Sequence, residues 1–252
     1  MKTLQVQRLN LDNSWWLQWG GETILLDPWL LGSEIDGFKW FNEQWHRTPP
    51  VPVHALPAYR HVVVSQPYSD HCHAETLKHL RGAWYAVPPA AKRLKRELPE
   101  TSCQIIADEH APIRIGDLYL FRMTPNRMID PIYHALVLRH GDEAVVYAPH
   151  GFQLTEDQLA LFKNVKVRLL ITSFAYFRLP FWLGGLINPG TTGALQLMAQ
   201  LQPEHVVNTH DEDKRAAGLV IRLAKRVYPD MPKLAEQYAN IHAVQDYRLL
   251  QF

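Results

Sequence analysis

Four places in the chain set a carboxylate or an imidazole where an apolar run gives out. Asp27 follows Thr23-Ile24-Leu25-Leu26, and Asp70 and His71 follow Val62-Val63-Val64 across a short loop. His150 ends Val145-Val146-Tyr147-Ala148-Pro149, and His210 ends Val206-Val207-Asn208-Thr209. Carboxylate oxygens and imidazole nitrogens are the donors that hold a zinc-like divalent ion. A single Asp-His pair on a loop is weak support for a metal site, because such pairs also cap helices or face water. Four strand ends of this character in one chain are much harder to dismiss. His46, His54, His79, His110 and His242 lack that context and read as surface or core residues. His73 is a spare candidate for proton transfer, but reads better as a first-turn helical residue facing out.

The elements that must position these groups are short apolar runs separated by turns. The β-branched residues 62–64 read as a buried strand. Pro67 then forces Ser65-Gln66-Pro67-Tyr68-Ser69 into a loop, since it fixes its own φ and disfavours helix at Gln66. Residues 74–80 have helical spacing. Residues 4–9, 14–19 and 23–26 read as strands, with hairpin turns near Asn13 and at Gly20-Gly21. Six of the eight tryptophans, at 15, 16, 19, 29, 40 and 45, lie in the first 45 residues. Residues 31–57 read as a long aromatic loop, serving as a lid or packing down as a minor core. Further on, the spacing predicts strands at 83–87, 104–107, 112–115 and 118–123, then a loop at 124–132. A hairpin over 134–139 and 144–147 turns at Gly141-Asp142, and Thr155 caps a helix over 155–162. A strand at 167–172 leads into a second aromatic loop, 173–190, which Arg178, Pro180, Gly184, Gly185 and Pro189 interrupt too often for a membrane span. A helix at 191–200, a strand at 203–208 and a helix over about 213–228 complete the pattern. The basic residues Lys92, Arg93, Lys95 and Arg96 of the helix over 90–98 read as a solvated face.

Bulk properties exclude several classes. The 252 residues carry 26 basic and 25 acidic side chains, a net charge of +1, so no general attraction to nucleic acid or anionic membrane is implied. Cys72 and Cys103 are too few for a disulfide scaffold and suit a reducing compartment. Residues 1–8 lack the apolar core of a signal peptide. A cytoplasmic protein is the expectation.

These motifs, in this order, resemble those of the metallo-β-lactamase superfamily over most of the chain. Thr23-Ile24-Leu25-Leu26-Asp27-Pro28 resembles its first motif, and Ser65-Gln66-Pro67-Tyr68-Ser69-Asp70-His71 falls where the family has Thr-His-x-His-x-Asp-His. Val145 to His150 falls where a strand ends in the bridging Asp, and Val206 to His210 matches the strand that delivers the last His ligand. The resemblance implies an α/β (α+β) fold, a four-layer αββα sandwich with its active site between two sheets. It implies one domain over 1–252, with aromatic insertions at about 29–57 and 173–190.

The departures narrow the expected chemistry. Gln66 and Tyr68 stand where the family has the first two His, and no third His occurs near Thr124-Pro125-Asn126-Arg127, so the first metal position reads as lost. At the second position Asp70, His71 and His210 match, and His150 replaces the bridging carboxylate. One ion held by these four residues is therefore implied, most simply zinc, with manganese or iron as alternatives. The implied function is a mononuclear metal-dependent hydrolase acting on a small apolar ester, amide or lactone through a metal-bound hydroxide. Tyr68 would donate to the developing oxyanion, Gln66 would position substrate, and Asp27 would orient the metal loop. The alternative is a catalytically inactive binding or protein-interaction module with no metal. The expected partners are an apolar small-molecule substrate, no nucleic acid, and a homo-oligomer formed through the aromatic loops.

Overall fold

The computed structural model describes residues 3–125, 133–210 and 214–252. Two seven-stranded sheets carry the architecture. In the first, the order is Leu249–Gln251, Gln5–Arg8, Trp15–Trp19, Glu22–Leu26, His61–Val64, Ala83–Ala86 and Cys103–Ile105. In the second, it is Ile241–His242, His205–Asn208, Lys166–Thr172, Glu143–Ala148, Ala135–His140, Leu118–Met123 and Ile113–Ile115. One core joins their facing sides, bringing Leu17, Ile24 and Val63 together with Leu120, Tyr147 and Ile171. Helix Pro88–Glu97 packs outside the first sheet, and helices Gly190–Leu201 and Met231–Gln237 pack outside the second. The result is the α-β-β-α layering expected.

Strand direction decides where the chemistry falls. Glu22–Leu26, His61–Val64 and Ala83–Ala86 run parallel, as do Glu143–Ala148, Lys166–Thr172 and His205–Asn208. Parallel strands are covered on both faces, which is why Val62, Val63 and Val64 are all fully buried rather than alternating. Parallel neighbours also end on one edge, so their C-terminal residues gather there. Hairpins flank them: Gly20 and Gly21 take φ of 60° and 86° in the two-residue turn between Trp15–Trp19 and Glu22–Leu26.

Three expectations are corrected. The aromatic loop at 31–57 contains strands Ser33–Ile35 and Glu43–Trp45, and that at 173–190 contains Tyr176–Arg178 and Leu186–Pro189. Each of these hairpins acquires a third strand from the region expected to be helix at 213–228. Arg215–Ala217 pairs with Glu43–Trp45, Lys225–Val227 pairs with Tyr176–Arg178, and only Leu219–Leu223 between them is helical. Gly218 makes the break: its φ is 107°, and a Cβ there would lie 2.6 Å from the Phe41 carbonyl oxygen. The third is His73, which is buried as the N-cap of helix Ala74–Leu77 and accepts from Thr76 N–H instead of facing out. Residues 126–132, most of the loop expected at 124–132, lie outside the described residues. Among the described residues no helix is long and apolar enough to cross a membrane.

Candidate metal centre

The gathered strand ends deliver Asp27 and the loop to His71 from the first sheet, and His150 and His210 from the second. Asp27 and His210 both sit in the left-handed region, with φ of 45° and 55°, which few residues other than Gly adopt and in which Asn, Asp and His are enriched. Each is held there by hydrogen bonds: Asp27 N–H donates to the Val63 carbonyl at 2.9 Å and His210 N–H to the Asp12 carbonyl at 2.8 Å. The Asp27 carboxylate in turn accepts from Ser65 N–H at 2.6 Å and Tyr147 O–H at 2.8 Å, and from the Ser65 hydroxyl. Backbone strain at such positions persists where the surroundings over-determine it.

His71, His150 and His210 meet with their Nε2 atoms inward. His71 Nε2 lies 3.1 Å from Nε2 of both His150 and His210. The outer nitrogens of His71 and His150 have hydrogen-bond acceptors, and that of His210 faces a carboxylate. His71 Nδ1 donates to Asp27 Oδ2 at 2.6 Å and His150 Nδ1 to Asn188 Oδ1 at 2.7 Å, while His210 Nδ1 lies 3.1 Å from Asp12 Oδ1 in an ion-pair contact. These partners favour hydrogen on Nδ1, which turns the three Nε2 lone pairs toward one another. Such an arrangement is repulsive unless a cation, a proton or a metal ion, lies between them. Tetrahedral zinc ligands at about 2.0–2.1 Å from the ion stand about 3.3 Å apart, close to the separations found. Asp70 Oδ2 lies beside them, 3.5 Å from His210 Nε2 and 3.8 Å from His71 Nε2. The three imidazoles fit a single divalent ion, and the partners behind them are of the kind that orient metal ligands.

Charge around the site is polarised. Burial disfavours the His71 cation, but Asp70 and Asp27 outweigh burial and raise its pKa. Burial together with the facing His210 and His71 pushes His150 well below the usual imidazole range. Asp12 would be raised by burial, yet His210 and Lys214 hold it well below the usual carboxylate range. Lys214 Nζ is 2.6 Å from Asp12 Oδ2, and despite burial Asp12 raises its pKa. Burial, reinforced by Asp70, pushes Glu34 up to about 8, and its carboxyl accepts from Asn42 Nδ2 at 3.2 Å and from the Ser69 hydroxyl.

A cleft of about 190 Å³ opens beside this centre. Asp70, His150, His210, Lys214 and Glu34 line it, together with the apolar and aromatic side chains of Phe41, Tyr176, Phe177, Leu183 and Val220. Tyr68 lines it as well, stacked on Tyr133 at 5.6 Å between centroids, and Tyr133 sets its edge against His150 at 4.6 Å. Gln66 is fully buried, is not among the cleft-lining residues, and neither amide atom has a hydrogen-bond partner among the described residues. Of the sequence candidates, Asp27, Asp70, His71, His150 and His210 thus come together at one point, with Tyr68 alongside. Asp12, Asn188 and Lys214 have functional contacts that sequence reasoning missed. The one signal for Asp12 is the Asn10-x-Asp12-Asn13-Ser14 turn, where Asn10 Oδ1 accepts from the N–H of both Asp12 and Ser14 at 2.9 Å.

Comparison with known proteins places this geometry in a family. The structure is similar to that of Igni18, a metallo hydrolase from Ignicoccus hospitalis, at 12% identity and TM-score 0.69, covering 99% of this chain and 98% of that one. It is similar to an isothiocyanate hydrolase from Delia radicum gut bacteria at 17% identity and TM-score 0.69, covering 98% of each chain. It also resembles a possible metal-dependent hydrolase from Veillonella parvula at 15% identity and TM-score 0.71, covering 99% and 98%. At these identities the likeness is one of fold. No functionally curated protein sequence matches the chain. The family described as "Beta-lactamase superfamily domain" matches residues 11–210, more than three-quarters of the chain, and the protein belongs to the metallo-β-lactamase superfamily.

Proposed function

We propose that the protein is a metal-dependent hydrolase with a single-ion centre, acting on a small, largely apolar ester, amide or lactone. The observation that carries this reading is the convergence of three Nε2 atoms whose outer nitrogens face Asp27, Asn188 and Asp12, the first two as hydrogen-bond acceptors. His71, His150 and His210 would hold the ion through Nε2, with Asp70 as the fourth donor, and zinc suits this nitrogen-rich set best. When bound, a divalent ion supplies Lewis acidity, polarising a substrate oxygen and lowering the pKa of water. Asp27, Asn188 and Asp12 keep the three imidazoles in register and in the required tautomer. The apolar side chains of the cleft take up the substrate body and shed water from it. Tyr68, which lines the cleft, donates its phenol hydrogen to developing negative charge on the substrate. Because Gln66 does not line the cleft, the substrate-positioning role expected of it passes to the cleft wall.

Metal content per chain, measured by elemental analysis on untagged protein purified without chelator, tests the proposal. One equivalent is expected in the parent and none in His71→Ala/His210→Ala, with ester and lactone turnover abolished in His150→Ala. Two equivalents would mean a second ion site outside these four ligands. No metal after reconstitution with zinc, manganese or iron would sink the hydrolase and leave a binding module of the same fold.

A further inference from the structure

The most exposed aromatic side chains among the described residues lie on two segments that border the cleft. Phe38 and Trp40 are 65% and 67% exposed and stack at 5.9 Å between centroids, while Phe181 and Trp182 are 79% and 68% exposed. Chain continuity sets both tips at the same opening, because Phe41 follows Trp40, Leu183 follows Trp182, and both followers line the cleft. Helix Leu219–Leu223 is tied to the first tip: Leu219 N–H donates to the Trp40 carbonyl at 3.1 Å and Val220 N–H to the Phe41 carbonyl at 2.9 Å. The next strand, Lys225–Val227, pairs with Tyr176–Arg178 at the base of the second tip. Leu219, Leu223 and Val227 are exposed on these connecting segments, which extends the apolar surface between the tips. An apolar surface of this extent on a folded chain marks an interaction site.

The charge on the same segments selects the partner. Arg178, Arg222, Lys225 and Arg226 are exposed there, and residues 176–190 and 214–228 contain no Asp or Glu, the nearest acidic residues of the second segment being Asp213 before it and Asp230 after it. Lys39, between Phe38 and Trp40, is offset by Glu43 at 3.8 Å, and Asp36 precedes the tip, so the basic excess lies on the other two segments. A net charge of +1 for the whole chain conceals this local excess. Tryptophans standing out on loop tips, flanked by arginine and lysine, match the water–lipid boundary, where indole rings sit at headgroup level and basic side chains meet anionic headgroups.

We propose that this rim docks the protein on an anionic lipid surface, with Trp40 and Trp182 inserted at headgroup level and Arg178, Arg222, Lys225 and Arg226 against the headgroups. The inference needs neither a metal nor turnover, so it stands or falls separately from the hydrolase reading. Co-sedimentation with unilamellar vesicles tests it, using phosphatidylcholine alone and equal parts phosphatidylcholine and phosphatidylglycerol. The full chain is expected to pellet with the anionic vesicles, not the neutral ones, and to be released by high salt. Trp40→Ser/Trp182→Ser and Arg222→Glu/Lys225→Glu should each lower the partition coefficient about tenfold or more, with metal content and thermal unfolding unchanged. Absence of pelleting, equal pelleting with neutral vesicles, or full binding by both variants would overturn the proposal. So would a dimer that sedimentation velocity finds lost in the tryptophan variant while vesicles are ignored, since the rim would then face a second copy.

Discussion

The three groups behind the imidazoles differ in what else they hold. Asn188 is neutral and passes its Nδ2–H on to Ser173 Oγ at 3.4 Å. Asp12 serves two buried partners, His210 and Lys214, and is itself fully buried. Removing its charge while keeping an acceptor, as in Asp12→Asn, leaves a buried ammonium without its carboxylate. Breaking a buried pair from one side costs about 3–5 kcal/mol, whereas replacing both partners is far less damaging. Urea unfolding of the chelated protein should therefore show that loss for Asp12→Asn, with at least half of it recovered in Asp12→Asn/Lys214→Met. If the double variant were no more stable than the single, the pairing would not be what holds Lys214. His134, away from the centre, offers a pH signature. Burial and then Arg122 push its pKa down to about 4, against the small opposing effect of a hydrogen bond to the Met123 backbone. Its unfolded value is about 6.5, so between pH 6.5 and 4 the unfolded chain binds the extra proton and stability falls as the pH falls. Fully expressed, a shift of that size is about 3 kcal/mol. The parent should thus lose up to that much more than His134→Gln across this window, compared by chemical denaturation at each pH. Parallel pH profiles for the two proteins would remove His134 from the account.

At the scale of elements, what was legible in the sequence was whatever a local pattern enforces. The run Val62-Val63-Val64 ahead of Pro67 could only be a buried strand entering a loop, and it is one, with Arg93 Nη1 donating to the Pro67 carbonyl at 2.6 Å to latch that loop. Arg93 thus does more than solvate its helix face. Thr155 caps its helix in a capping box with Gln158, as the spacing of a Thr and a Gln three residues apart allows. Because His150 and His210 end parallel strands, their meeting with His71 follows from the topology once the sheet order is known. What could not be read were features made by partners distant in sequence. Residues 213–228 have an apolar and basic composition compatible with helix, but Arg215–Ala217 and Lys225–Val227 find better use as edge strands for two hairpins more than 30 residues away in the chain. Asn188 and Lys214 carry no local sign of their contacts, and the turn that holds Asp12 does not name its partners; only the fold brings Asp12 within reach of His210, almost 200 residues later. His73 looked like a surface residue because a helix start was recognised without the capping bond that turns its ring inward.

For the molecule as a whole, the proposed centre lies across the seam of the sandwich. Asp27 and the loop carrying Asp70 and His71 follow strands of the first sheet, His150 and His210 follow strands of the second, and Tyr147 reaches from the second sheet to donate to Asp27. An ion held by ligands from both sheets would therefore act as a tie between the two halves of the core, and its loss should be felt in global unfolding rather than in one loop. The linkage is quantitative. A ligand that binds only the folded state at a hundred times its dissociation constant adds about 2.7 kcal/mol, and for a chain of this length each kcal/mol moves the melting temperature by about 2–4 °C. Chelation should thus lower the melting temperature by about 5–10 °C, zinc should restore it, and His71→Ala/His210→Ala should melt at one temperature whether or not zinc is present. Calorimetry decides the matter: a parent whose transition ignores chelator and zinc alike, after metal content has confirmed one equivalent, would mean that the ion is held without coupling the sheets. A transition that responds in the double variant as strongly as in the parent would place the stabilising ion somewhere other than between His71, His150 and His210.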